Sequence, residues 1–411
     1  MIKKKSFFDT NLAQHLFPSN IEVMPNVDDI FELEFALGEI NSLTESELLE
    51  RSGFIAKVNG KETNHYKLGI NSSLEIYETK SVRTQSFFSK GKFSTGYAVH
   101  SLFPYRGKFH AQLIKGIINV IGLKPGDTFL DPMMGSGTAC IEAQLMGINA
   151  IGFDVSPFCQ LMTSTKSLSI SRKPKFFKEN AVSSNIICKS IEDAQKKKDL
   201  SEWLEGENQI FLLAYLDAMG YARRVVGKKA KDKFPEVLDR YIQTIARFWL
   251  FQNKVNLKIG KGQYAVGDAR SLNLYDNVVD GIITSPPYSF AIDYIDNDLP
   301  QLEFLGVNPK LLRENLVGLR NGPRKTERIN AYLDDLKKIF SEMSRVLRLG
   351  KFCVIVIGSN EIQTGGIRFE QEILKFAPEY GFSLEKQMKK PIRGIQNSMT
   401  EEYVLFFRKV K

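Results

Sequence analysis

The stretch "FLDPMMGSGTACIEAQLMGINAIGFDVSP", residues 129–157, carries the pattern on which the fold class turns. A short apolar run ends on Asp131, the turn Gly135-Ser136-Gly137-Thr138 opens a helix that Gly147 closes, and a second apolar run ends on Asp154. Strand, glycine turn, helix and strand in that order make a parallel pair with a crossover helix. The rhythm continues outward. "FHAQLIKGIINVIGL" (109–123) reads as an amphipathic helix ending near Gly122, and "DTFLDP" and "NAIGFDV" are the first two strands. "QYAVGDA" (263–269), "VVDGIITSPP" (278–287) and "FCVIVIG" (352–358) read as further strands, "INAYLDDLKKIFSEMSRVL" (329–347) as a helix and "EEYVLFFRK" (401–409) as a C-terminal strand. The expected fold is α/β: a Rossmann-like, doubly wound and mostly parallel sheet.

Before residue 96 the pattern is different. "IFELEFALGEI" (30–40) reads as a strand with alternating apolar positions, and "SLTESELLERSGF" (42–54) as a Ser-capped helix closed by Gly53. Residues 1–95 are therefore expected to form a small α+β domain or arm. Residues 96–160 hold the first part of the α/β domain, 161–261 a helical insert, and 262–411 the second part. No internal repeat or low-complexity tract interrupts them.

The net charge of +9 sits in one place. Residues 161–261 hold 20 Lys and Arg against 11 Asp and Glu, an excess equal to that of the whole chain. Such a segment suits a polyanion partner, because phosphate neutralisation releases condensed counterions. Trp203, Tyr215, Tyr221, Tyr241, Phe248 and Trp249 lie among its basic residues, Arg223 and Arg224 included. The insert reads either as a target-recognition element or as a helical cap on the sheet.

The glycine turn is built for a ligand. Glycines let backbone N–H groups approach closely, and a strand-end acid 19 positions after Gly135 suits ribose hydroxyls. Cys140 stands where the dinucleotide fingerprint needs its third glycine, which counts against NAD. Asp-Pro before the turn and Gly-Ser-Gly-Thr within it point to S-adenosylmethionine, with Asp131 for its amino-acid moiety and Asp154 for its ribose. In "AVGDARSLNL" (265–274), Asp268, followed by Ala269, is placed to accept from the adenine amine, or else to serve as a turn residue or helix cap.

In "GIITSPPYSF" (281–290), two prolines and a tyrosine follow a buried-looking run. Proline has no N–H, so Ser285-Pro286-Pro287 can present a hydroxyl and a backbone carbonyl as paired acceptors. Two acceptors for the hydrogens of an exocyclic base amine favour a pyramidal nitrogen with its lone pair aimed at a methyl donor. Tyr288 supplies an aromatic face, and stacking of this kind is worth ~1–3 kcal/mol. A base in a duplex reaches such a pocket only by flipping out, at a cost of a few kcal/mol.

Together, "DPMMGSGT" and "TSPPY" resemble the amino-methylating DNA methyltransferases, which modify cytosine N4 or adenine N6 from S-adenosylmethionine. "PYRGKFHAQLIKGII" (104–118) looks like that family's segment upstream of the cofactor loop, and "SPPYSFAIDYIDNDLPQLEFLG" (285–306) like its stretch after the catalytic loop. The resemblance covers residues 96–160 and 262–411. It implies a class I methyltransferase fold, with Phe109, Asp131, Gly135, Gly137, Thr138 and Asp154 on the cofactor and Ser285, Pro286, Pro287 and Tyr288 on the target amine. Ser as first residue of the catalytic loop is associated in that family mainly with cytosine N4, whereas Asp or Asn usually marks adenine N6. The implied partner is double-stranded DNA, as in restriction–modification, although no residue here points to a cognate endonuclease. Recognition lies in the insert, in residues 1–95, or in "LRENLVGLRNGPRKTER" (312–328) with Arg320, Arg324 and Lys325. A rival resemblance joins "IFELEFALGEINSLTESELLERSGF" (30–54) to the leading strand and helix of THUMP-bearing tRNA guanosine-N2 methyltransferases, which makes tRNA the rival substrate. A nucleic-acid-binding protein with a vestigial pocket is the non-enzymatic alternative.

Four scattered cysteines and four histidines support neither a disulfide framework nor a metal site. Cys159 in "SPFCQ" lacks the Pro-Cys pair of C5-cytosine methylating enzymes and reads as a small buried residue at a helix start. At 43% apolar the chain can bury a full core. No window reaches the ~18–20 apolar residues of a membrane span and no secretory signal opens it, so the expected location is cytoplasmic.

Overall fold

The computed structural model describes residues 12–27, 29–69, 96–105, 108–173, 183–223, 229–287, 293–318, 324–359, 364–391 and 401–411. They divide into two compact units, one running up to Tyr97 and including His110–Gly122, the other made of Ala98–Phe109 and Leu123–Lys411.

In the first unit the strands β1 (Ile21–Val23), β2 (Ile55–Val58) and β3 (Lys61–Glu62) form an antiparallel sheet in that order. The segment read above as a strand, 30–40, is instead part of the helix Ile30–Ser42. Its apolar and acidic residues fit both a period of two and a helical stripe, and local chemistry decides between them. Asp29 caps the helix by accepting from Glu32 N at 3.0 Å, while Leu33, Phe35, Ala36 and Glu39 turn to one buried face. The next helix, Glu45–Arg51, is capped by Thr44 through a capping box with Glu47, not by serine, and ends before Gly53. Glu39 is wholly buried and accepts from Gly53 N, Phe54 N and Asn119 Nδ2 at 2.7–2.9 Å. Asn119 belongs to the helix Ala111–Val120.

The second unit is built on a seven-stranded sheet. Its strands are β4 (Thr128–Asp131), β5 (Asn149–Asp154), β6 (Gly262–Val266), β7 (Val279–Thr284), β8 (Leu347–Ile357), β9 (Phe382–Pro391) and β10 (Glu401–Lys409). The order across the sheet is β6-β5-β4-β7-β8-β10-β9. β6 through β8 run parallel, and β10 is antiparallel to both of its neighbours. This is the expected mostly parallel, Rossmann-like architecture, with β9 added to the strands legible in the sequence. The chain moves outward from β4 to β6, then returns to place β7 on the other side of β4. The switch point therefore lies between β4 and β7, where open α/β sheets bind ligands at their carboxyl ends.

The helix Lys325–Val346 covers one part of the sheet with Ile329, Tyr332, Leu336, Ile339, Phe340, Met343 and Val346. Phe340 meets Phe376, Phe382 and Phe407 edge to face at 5.1–6.0 Å. Between β5 and β6 the chain forms the helices Pro157–Ser171, Ser184–Lys196, Asn208–Arg223 and Ala230–Val255. Tyr215, Tyr241 and Phe248 of this segment are buried among them, so these three aromatics are packing residues. Arg240 pairs with buried Asp217, which also accepts from Tyr241 Oη. Among the described residues, no helix is long and apolar enough to cross a membrane.

Candidate active site

Asp131, the glycine turn, Asp154 and Ser285–Pro287 lie at the carboxyl ends of β4, β5 and β7, whereas Asp268 and Ala269 follow β6. Asp131, 1% exposed, closes β4. Its Oδ1 accepts from Met133 N at 3.1 Å and from Thr284 Oγ1 at 2.8 Å, whereas Oδ2 is buried with no partner among the described residues. Burial pushes its carboxyl pKa up to about 7, against the lowering effect of the bonds from Thr284 and Met133 and with a further push from the charge of Asp154.

The glycine turn is held from several sides. Gly135 and Gly137 take φ of +48° and +75°, in the left-handed region that favours glycine. A Cβ on Gly135 would meet open space, but one on Gly137 would strike the Thr163 side chain at 2.5 Å. Thr163 Oγ1 donates to Gly135 O at 3.3 Å, and the wholly buried Lys166 donates to Ser136 O at 2.9 Å. Thr138, buried, starts the helix Thr138–Leu145, and its hydroxyl lies 3.3 Å from that of Ser136.

Asp154 closes β5 and ties the turn to it. Its Oδ2 accepts from Gly135 N and its Oδ1 from Ser156 N, each at 2.9 Å. Burial raises its carboxyl to about 6, opposed by those two bonds. Asp268 has a cation at hand: Arg270 donates to both of its oxygens at 2.6–3.0 Å and also to Asp335 at 3.0 Å. Its turn is closed by a bridge to Ser271, and Ala269 packs in the core at 3% exposure. Phe109 is half-buried in the same unit.

Ser285-Pro286-Pro287 continues straight from β7. Ser285 and Pro287 are half-buried, Pro286 is buried, and Tyr332 Oη donates to Pro287 O at 3.3 Å. Tyr288 lies outside the described residues, as do Arg224 and Arg320. Registers Phe129↔Gly281 and Leu130↔Ile282 set β7 beside β4, so two motifs 153 residues apart in the chain meet through the Thr284–Asp131 bond.

A cleft of about 360 Å³ is lined by Phe103, Tyr105, Tyr221, Tyr294, Asp298 and Gln301 among others, and the charge of Asp154 reaches Tyr105 and Asp298 in its wall. That volume is within the ~300–1,000 Å³ of ordinary ligand pockets. Burial raises Asp298 to about 7, Tyr105 hydrogen-bonds it, and the charge of Asp154 raises it further. Gln301 is 5% exposed and its Oε1 has no partner among the described residues. Cys159 is buried near the start of its helix, 3.7 Å from Tyr105 Oη.

The roles of Thr284, Thr163, Lys166, Tyr332 and, Tyr221 apart, the cleft residues escaped the sequence reading. Thr284 alone had a visible signal, a hydroxyl at the end of an apolar β-branched run. The others act from elements whose packing no motif records.

An unpartnered buried acceptor on Asp131, a second acid at the end of β5 and open space over Gly135 fit the ammonium and ribose diol of S-adenosylmethionine. Strand order and switch-point site define a Rossmann-like α/β domain, and the groups at its switch point make S-adenosylmethionine its cofactor. Residues 101–209 match the family model UPF0020, RMKL-like, methyltransferase domain. The chain is 24% identical over 277 residues to the Type II methyltransferase M.BsoBI of Geobacillus stearothermophilus, covering 53% of this chain and 54% of that protein. It is 30% identical over 159 residues to the Type II methyltransferase M.MjaII of Methanocaldococcus jannaschii, covering 38% and 28%. A 73-residue stretch is 36% identical to the tRNA (guanine(10)-N2)-dimethyltransferase of Methanothermobacter thermautotrophicus, covering 18% and 22%. The matched parts thus span about half or less of these relatives. They bear out the resemblance to S-adenosylmethionine-dependent DNA methyltransferases.

Proposed function

We propose that this protein methylates the exocyclic amine of a base extruded from double-stranded DNA, with cytosine N4 as the target. The observation that carries the reading is the Thr284–Asp131 bond, which sets a loop with two prolines that lack N–H directly beside the acid at the end of β4. Bound S-adenosylmethionine supplies an electrophilic methyl group on a sulfonium. Asp131 Oδ2 would receive its ammonium and Asp154 its ribose hydroxyls, while the open face of Gly135 admits its backbone. Asp268 would meet the adenine amine by yielding one of the bonds it now accepts from Arg270.

Ser285 Oγ and a carbonyl of the loop accept the two amine hydrogens and turn the nitrogen lone pair toward the methyl group. The methyl group would pass to that nitrogen with the electron pair of its former bond left on sulfur, and Ser285 would carry one amine proton to solvent. Proline at 286 and 287 keeps N–H donors out of the loop, and Tyr288 would stack on the base. The aromatic cleft beside Tyr105 and Asp298 offers room for the extruded base. Ser at position 285 favours cytosine over adenine, and the basic excess of 161–261 suits the DNA backbone.

Nucleoside mass spectrometry after incubation with S-adenosylmethionine and, separately, unmethylated duplex DNA and unmodified tRNA tests the proposal. N4-methylcytosine in DNA is the expected product, at a rate reduced ~100-fold or more in Ser285→Ala with cofactor affinity kept. N6-methyladenine would keep the chemistry and move the base. N2-methylguanosine in tRNA alone would overturn the DNA assignment.

A further inference from the structure

We propose that Thr284 is a positioning residue for the cofactor: its hydroxyl, donated across the β4–β7 pair, holds the Asp131 carboxylate ionised and aimed so that Oδ2 receives the ammonium of S-adenosylmethionine. This inference rests on the cofactor reading above and adds to it the residue that makes Asp131 competent.

Thr284 is wholly buried and follows Ile282 and Ile283, both also at 0% exposure. Valine or isoleucine would pack such a strand end as well, so the hydroxyl answers to something polar, and its partner is Asp131 Oδ1 at 2.8 Å. The bond fixes one carboxylate oxygen and leaves the other, Oδ2, without a partner among the described residues. Four groups bear on Asp131: Met133 N from the turn, Thr284 from β7, the charge of Asp154 from the end of β5, and the Cys140 thiol from the helix Thr138–Leu145. None of these is a cation. Burial holds the carboxyl at about 7, and the Thr284 bond is the first of the effects opposing it. Near neutral pH the strength of that one bond therefore sets how much of the carboxylate can meet an ammonium.

Cofactor binding requires ionised Asp131, so affinity falls as pH drops through about 7, approaching tenfold per unit below it. Without the Thr284 hydroxyl the carboxylate loses a charge-assisted bond, its pKa rises, and the midpoint moves up by about one pH unit or more. At alkaline pH, where Asp131 is ionised in either case, the difference vanishes.

The test is calorimetric titration of the full chain with S-adenosylhomocysteine from about pH 5.5 to 9.5. Thr284→Val removes the hydroxyl at nearly constant shape, Thr284→Ser keeps it, and 5′-methylthioadenosine offers the adenosine without the ammonium. We expect the Thr284→Val midpoint to move up by about one unit and its affinity to converge with the wild type at high pH. Thr284→Ser should track the wild type, and methylthioadenosine should bind wild type and Thr284→Val alike at each pH. An unchanged midpoint, or an equal loss at all pH values, would make Thr284 a packing residue and overturn the proposal. If Thr284→Val does not fold, Thr284→Ala removes the same hydroxyl, and the same shift or lack of shift supports or overturns the proposal. A wild type that binds S-adenosylhomocysteine at no pH would instead overturn the cofactor reading itself, and this inference with it.

Discussion

β4 and β7 are neighbours that end side by side, yet their ends are chemically opposite. After Asp131 the chain curls through two left-handed glycines into a helix, and two N–H groups of the turn are claimed by carboxylates: Met133 N by Asp131 and Gly135 N by Asp154. After Thr284 the chain runs on through Ser285 into two prolines that carry no N–H, and Tyr332 holds the Pro287 carbonyl. One end is suited to a cofactor that brings a cation and hydroxyls. The other is suited to an amine that brings only hydrogens. A methyl transfer needs the methyl donor and the amine held side by side, and the Thr284–Asp131 bond is where the two ends are joined.

The largest expected break of this contrast is Gly137→Ala. A Cβ there meets Thr163 at 2.5 Å on a backbone with φ of +75°, so strain and overpacking add to roughly 2–5 kcal/mol. Gly135→Ala meets open space and should cost only the conformational strain, roughly 1–2 kcal/mol. Thermal melting of the pair without cofactor reads the difference, and equal losses would mean that the turn yields where Thr163 now holds it.

Next in size is Asp154→Ala, which strips the acceptor from Gly135 N and Ser156 N as well as from the ribose. Cofactor affinity should fall by about 10- to 100-fold, measured by titration with S-adenosylhomocysteine. Unchanged affinity would show that the acid only braces the turn. The smallest effect is expected at the other strand end. Tyr332→Phe removes one bond to the Pro287 carbonyl at a cost of about 1 kcal/mol, which should lower kcat several-fold and leave cofactor affinity alone. A change in cofactor affinity would mean that Tyr332 acts on both ends at once.

The two ends also differ in how they could be read. Asp131, the glycine turn and Asp154 lie within one short stretch, and the local signals there agree: apolar strands, left-handed glycines and a helix start. The segment 30–42 shows the opposite case, because Phe31, Leu33, Phe35 and Leu37 alternate with acids as a strand would. A cap from Asp29 and the packing of Phe35 on Phe54, with ring centroids 5.4 Å apart, select the helix. Tyr215, Tyr241 and Phe248, interleaved with basic residues in the chain, proved to be core. Composition reports which residues are near in sequence, not which face they share.

The sequence by itself determined the kind of domain, because strand and helix periods, glycine conformation and missing proline donors are properties of neighbouring residues. It also determined the donor and acceptor character of each strand end. Only the tertiary structure decided that the two ends touch, since pairing β7 with β4 depends on the crossover that returns the chain past the starting strand. The same holds for the titration of Asp131, Asp154 and Asp298. Their carboxyls stand at about 7, about 6 and about 7 because folding removes them from water, a cost that no residue type or spacing states in advance.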